Sequence, residues 1–263
     1  MAKHVLAFDL NKCKGNGECV AVCGSGVLEK DERGFPRKAA NHETGCIACG
    51  QCVAICAEKA VSFADLPAES DFGGEMTVSE KQLRELYQRR RSVRNWEDKQ
   101  VDQGTLERLL DAVRWSPTGL NRQGVKWLVI NSKAEVRKLA ELMIAHFRRA
   151  GNAFPTVAAW DKGIDRILRD APALAIAYGA EGPMSPATDC LIALTHVDIA
   201  AGVFGLGTCW AGYFMMVAEA NETVRNAIGL PSGHKMYGAL MMGYPKYHER
   251  RAPGREPLAV TWR

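Results

Sequence analysis

CIACGQCVAIC, residues 46–56, places cysteines at Cys46, Cys49, Cys52 and Cys56, a C-x2-C-x2-C-x3-C run. Soft thiolates at this spacing suit iron–sulfur clusters. Three of them wrap corners of one cubane, and the fourth is carried across to a second. The second set of ligands lies upstream. Shifted by 33 residues, Cys13, Asn16, Gly17, Cys19, Val20, Val22 and Cys23 fall on Cys46, Cys49, Gly50, Cys52, Val53, Ile55 and Cys56. Duplicated units of this size are expected to pack against each other about a pseudo-twofold axis. The crossed assignment gives Cys23, Cys46, Cys49 and Cys52 to one [4Fe–4S] cluster, and Cys13, Cys19 and Cys56 to the other.

The repeat exposes a substitution. In CKGNGECVAVC (13–23), Asn16 stands where the intact copy has Cys49. An amide oxygen is a poor iron ligand, so the first cluster is either [3Fe–4S] or [4Fe–4S] with water, hydroxide or Asn16 on one iron. Loss of an anionic ligand should also shift the potential, which net cluster charge helps to set. Zinc is the competing reading, but it takes four ligands in two pairs. Seven cysteines in this pattern leave three over.

Composition supports a metal framework over a disulfide one. Seven of the nine cysteines lie between Cys13 and Cys56, and the total is odd. Tightly grouped cysteines of this kind belong to a reducing compartment, which implies a cytoplasmic protein. The 263 residues are 47% hydrophobic and 24% charged, enough for one or two sizeable cores. No run approaches the roughly 20 apolar residues of a membrane helix. The start, MAKHVLAFDLNKCKG, turns polar too early for a secretory signal. The net charge of +4 is too mild to propose a nucleic-acid partner, since residues 1–66 balance eight basic against eight acidic side chains.

The cysteine-dense domain is expected to span 1–66. A linker follows over 67–78, marked by Pro67, Gly73, Gly74 and several acids. A second domain then fills 79–263. Ser79 followed by Gln82 predicts a capped helix from Glu80 to about Arg90. Leu106, Leu109, Leu110 and Val113 predict one facial helix over 102–115. WLVIN (127–131), ALAIAY (173–178) and YGALMMGY (237–244) read as buried strands, with a long apolar helix over 188–204 between the last two. The expected class is α+β, a central sheet flanked by helices.

Two resemblances follow from these motifs. Residues 1–66 resemble a bacterial two-cluster ferredoxin, although Gly24 and Ala57 replace the proline that usually follows each fourth cysteine. In the second domain, RRRSVRNW (89–96) alone would read as a basic helix end, favourable with the helix dipole. Together with SPTGLNRQ (116–123), GLGTCWAG (205–212), GYP (243–245) and an arginine-rich tail, it resembles the nitroreductase family of flavin enzymes.

The resemblance implies an FMN site. Arg90, Arg91 and Ser92 would meet the phosphate, joined by Arg255 and Arg251 from the tail, since Arg forks and a hydroxyl suit a phosphate dianion. Arg94 would lie nearer the flavin ring. Pro117, Thr118, Gly119 and Asn121 would complete the site from the partner subunit of a homodimer, with Trp210, Ala211 and Gly212 at the ring edge. No catalytic side chain is implied, because the flavin N5 does the chemistry.

The implied function is an FMN-dependent oxidoreductase passing electrons between its clusters and FMN to reduce a nitroaromatic, quinone or activated alkene. NAD(P)H or a ferredoxin would be the donor, and the absence of G-x-G-x-x-G weighs against a dedicated nicotinamide domain. The alternatives are an electron carrier for a protein partner, or a redox sensor without small-molecule turnover. Cys190 and Cys209 read as buried thiols, and His196 as a satisfied core residue.

Overall fold

The computed structural model describes residues 4–66, 71, 72, 74, 76–151 and 155–263. Much of the expected linker, including Pro67 and Gly73, lies outside them. The chain forms two compact units, one of Met1–Met76 with Thr118–Gln123, the other of Thr77–Pro117 with Gly124–Arg263.

The first unit is built on the repeat. Strand β1 (Leu6–Phe8) pairs antiparallel with β4 (Val61–Phe63), and β2 (Leu28–Lys30) with β3 (Pro36–Lys38). Helix α1 (Glu18–Ala21) opens after Gly17 at φ 79°, and its counterpart α3 (Gln51–Ala54) after Gly50 at φ 76°. Both turns demand the left-handed backbone that glycine adopts freely, which is why the repeat keeps glycine at this position. Helix α2 (His42–Gly45) leads into Cys46. Leu6, Cys19, Leu28 and Val61 form a small core.

In the second unit, α4 (Glu80–Arg89) starts on the expected capping box. Ser79 Oγ accepts from the Gln82 N–H, and the Gln82 side chain accepts from the Ser79 N–H at 2.8 Å. Helix α5 (Gln103–Val113) is capped by the Asp102 carboxylate, which accepts from the Thr105 N–H at 2.8 Å. Next come β5 (Lys126–Ile130), α6 (Lys133–Arg149), α7 (Pro155–Trp160), β6 (Ala173–Ala180), α8 (Ala187–Ala200) and β7 (Gly207–Trp210). The elements α9 (Gly212–Ala220), α10 (Glu222–Ile228) and β8 (His234–Gly243) complete the order. The four strands form one antiparallel sheet in the order β5-β6-β8-β7.

Helices cover both faces of this sheet. Leu174, Ile176, Ala239 and Met241 face α6, α9 and α10, while Ala173, Ala175, Ala177, Leu240 and Met242 face α5 and α8. The period-2 alternation of strand side chains therefore yields unbroken apolar runs. At one point α8 comes very close: a Cβ on Gly238 would sit 2.2 Å from Leu194 Cδ1. The architecture is α+β, as expected. Strand β7 is an addition to the three strands read from the sequence, lying within GLGTCWAG as the fourth strand.

Helix α8 with the turn that follows it, Ala187–Phe204, has a mean hydropathy of 1.4 over 18 residues, enough by length and composition to cross a membrane. The sequence expectation of no such run is corrected on that count. Its Cys190, Leu194 and Val197 side is fully packed in the core.

Candidate functional site

The first unit gathers its cysteines into two hollows. One is lined by Cys23, Cys46, Cys49 and Cys52, together with Ile47, Ala48 and Gly50, and measures about 360 Å³ out to its open mouth. The other is lined by Cys13, Cys19 and Cys56, with Asn16, Gly17 and Glu58. The grouping matches the crossed ligand sets. Burial, and then the neighbouring Cys49 and Cys23, push the Cys52 thiol up to about 11. Burial, and then Cys13 and Cys56, also raise Cys19. Such thiols give up their protons when a positive iron centre compensates the charge. Among the described residues, no three His, Cys, Asp or Glu side chains converge on a point where a single ion would sit. A cluster several atoms across needs its ligands spread more widely than one ion does, so hollows ringed by separated cysteines fit it.

Asn16 lines the hollow of Cys13, Cys19 and Cys56, the first in chain order, and its amide is engaged locally. Oδ1 accepts from the Glu18 N–H at 3.3 Å, and Nδ2 donates to Glu18 Oε2 at 3.0 Å. Lys14 pairs with Glu58 at 2.7 Å, and both line the same hollow. His42 is a residue the sequence reading passed over. It is buried ahead of Cys46, with Nε2 meeting no hydrogen-bond partner.

The second unit brings part of the arginine motif against the sheet edge. Ser92 bridges to Thr208 in β7, and the Val93 N–H donates to Thr208 O at 2.8 Å. Arg90 Nη1 lies 3.2 Å from Oδ2 of Asp198, a buried residue of α8, and Thr208 Oγ1 donates to the same carboxylate. Arg91 donates to Gln88 O at 3.0 Å and Arg94 to Ser92 O, both main-chain carbonyls. Arg91 Nε is buried and without an acceptor. Neither arginine pairs with a carboxylate among the described residues. Trp210 ends β7, the Ala211 N–H donates to Ala239 O at 3.0 Å, and Gly212 opens α9. Arg251 and Arg255 lie exposed in the tail.

The turn 116–123 makes contacts of its own within the chain. Its Thr118–Gln123 part belongs to the first unit. There Asn121 Nδ2 donates to Ala48 O at 2.7 Å and to Ile47 O at 3.3 Å. Ser116 Oγ pairs with His196 Nδ1 at 2.6 Å, so His196 is a satisfied, half-buried residue as expected.

Comparison with known proteins decides the family. The nitroreductase family model matches residues 87–244. The chain belongs to the nitroreductase family. Ahead of that segment, a 4Fe–4S dicluster domain model matches residues 6–57. This nitroreductase-family chain is 24% identical, over 64% of its length and 87% of the relative, to a provisionally named NADH dehydrogenase/NAD(P)H nitroreductase of Archaeoglobus fulgidus. A similarly named protein of Methanothermobacter thermautotrophicus is 21% identical over 64% of the chain and 80% of its own length. Among solved structures, the FMN-bound nitroreductase of Bacteroides fragilis has a TM-score of 0.56 at 20% identity, covering 69% of this chain and 99% of that one. The FMN-dependent nitroreductase of Clostridium difficile gives 0.55 at 18%, covering 70% and 100%.

Proposed function

We propose that the chain is an iron–sulfur flavoprotein reductase, with two ferredoxin-type clusters and one FMN site per polypeptide, acting on a small organic acceptor. Nitroaromatics, quinones and activated alkenes are the acceptor classes that suit it. The observation that carries this reading is the pair of cysteine hollows built within a nitroreductase-family chain. Clusters pass single electrons, and FMN, when bound, collects two and returns them as a hydride equivalent.

The chain's own residues divide the work. Cys23, Cys46, Cys49 and Cys52 hold one [4Fe–4S] cluster. Cys13, Cys19 and Cys56 anchor the other, with a fourth corner that is empty or filled by a non-thiolate ligand. Arg91 and Arg94, free of carboxylate partners, offer charge to FMN, with Ser92 beside them and Arg90 held by Asp198. Trp210, Ala211 and Gly212 stand at the end of β7 as the expected ring-edge segment. Arg251 and Arg255 come from the tail, and Pro117, Thr118, Gly119 and Asn121 remain the turn assigned to the partner's site.

Assembly as a homodimer is supported by α8. The helix and the turn after it are apolar on average, with a mean hydropathy of 1.4 over Ala187–Phe204. Here Leu191 and the following Val203 remain exposed, which a second copy would cover. The names of the relatives favour NAD(P)H as donor, and a ferredoxin is the other candidate. The dense cysteines suit a reducing, cytoplasmic setting.

Anaerobic stopped-flow spectroscopy of the purified holoprotein tests the proposal. Clusters reduced by dithionite should pass electrons to FMN within one turnover, and a small acceptor should then reoxidise it. No electron transfer to FMN, or reoxidation only by a protein partner, would overturn it.

A further inference from the structure

We propose that Asn121 is a positioning residue of the second cluster, clamping the loop between Cys46 and Cys49 so that its main-chain amides face the cluster. The inference rests on the reading of Cys23, Cys46, Cys49 and Cys52 as cluster ligands.

Ile47 and Ala48 are the two residues between ligands Cys46 and Cys49, and the Asn121 carboxamide donates to both of their carbonyls. In a trans peptide the carbonyl and the following N–H point in opposite directions. With the Ile47 and Ala48 carbonyls turned to Asn121, the N–H groups of Ala48 and Cys49 turn to the other side. Both residues line the cysteine hollow, and neither N–H donates to a protein acceptor among the described residues. The first hollow has such bonds already in place. Gly15 N–H lies 3.4 Å from Cys13 Sγ, and Ala60 N–H lies 3.3 Å from Cys56 Sγ.

The clamp also answers a strained backbone. Ala48 has φ 51°, a left-handed conformation that a non-glycine residue keeps only where its surroundings enforce it. The turn presenting Asn121 is itself built for this shape. Leu120, Asn121 and Gln123 have φ of 53°, 49° and 51°. Thr118 ties the turn together, its carbonyl accepting from the Asn121 N–H at 2.9 Å and its hydroxyl from the Gln123 N–H at 3.0 Å. Amide donors aimed at cluster sulfur offset the charge gained on reduction, so they raise the potential.

EPR-monitored redox titration of the anaerobically purified holoprotein tests this. N121A should move the second cluster to a more negative midpoint, leave the first unchanged, and retain iron. In the N121A/A48G protein glycine adopts the left-handed conformation unaided, so the shift should shrink. If N121A assembles too little cluster to titrate, N121A/A48G should restore iron content, and failure to do so overturns the proposal. It is equally overturned if N121A leaves both midpoints unchanged. Midpoints are read at equilibrium, so these outcomes are independent of whether electrons reach FMN in turnover.

Discussion

Arg90 and Asp198 form an ion pair at 3.2 Å although 108 residues separate them, with the carboxylate side chain only 7% exposed. Thr208 holds the other carboxylate oxygen. A buried charge is tolerated where its oxygens are met in this way. Arg90→Met would leave that charge without its cation, a loss of about 2 kcal/mol after allowing for the partial exposure of Arg90. Urea denaturation of the apoprotein should show it. Flavin retention, by contrast, should fall more in Arg91→Ala than in Arg90→Met, because Arg90 is already engaged.

Gly238→Ala should destabilise the second unit. The added methyl group would meet Leu194 at 2.2 Å inside the α8–β8 contact. Forced overpacking of a close-packed core costs about 1–3 kcal/mol. The change should appear as a lowered midpoint in chemical denaturation, and Gly238→Ala/Leu194→Ala should recover part of it.

Asn16→Cys should convert the first hollow to a full set of four thiolates. Its iron content should reach eight per chain, by the arithmetic of two four-iron clusters. The added negative ligand favours the oxidised state, so the first cluster should move to a more negative midpoint. EPR of the oxidised wild-type protein distinguishes three irons from four. Unchanged spectra and potentials in the variant would remove Asn16 from the ligand position.

The α5 cap predicts an acid-side pH dependence. Hydrogen bonds from the Thr105 hydroxyl and N–H hold the Asp102 carboxyl below the usual carboxylate range. A depressed folded-state value means the cap stabilises fully above the unfolded pKa, near 3.8. That contribution is lost as pH falls through the lower folded value. The melting temperature of wild type should exceed that of Asp102→Ala at neutral pH, and the gap should close below about pH 4. A constant gap across that range would show that the cap does not titrate.

The C-terminal tail gives a test of assembly. Leu258 and Trp262 are 89% and 88% exposed, and no regular element follows β8. In the proposed dimer these side chains are candidates for cover by the second copy. Truncation after Arg250 should shift the mass in solution from dimer towards monomer and weaken FMN retention. Light scattering and flavin release on dilution measure the two effects.

Periodicity and spacing made most of the fold legible. Ser79 and Gln82 fixed the start of α4, and the apolar runs fixed β5, β6 and β8, because both faces of that sheet are buried. The 33-residue repeat picked out the seven cysteines that line the two hollows. Strand β7 was not legible: it has four residues, begins with glycine, and becomes a strand only by pairing with β8. Asp198 looked like an ordinary polar residue in an apolar helix, since its partner Arg90 is distant in sequence. The contacts of Asn121 were not legible for the same reason, its acceptors at Ile47 and Ala48 lying 74 and 73 residues away. Local pattern specifies elements; it does not specify which polar groups meet after folding.

Of the seven cysteines in the two hollows, Cys49 is the exposed one, while Cys19 in the first hollow is buried. An opening that lets an electron donor come close admits dioxygen equally well. Under air the second cluster should therefore fail before the first. The working lifetime of the protein would then be governed by one thiolate at the surface, with the buried corners outlasting it.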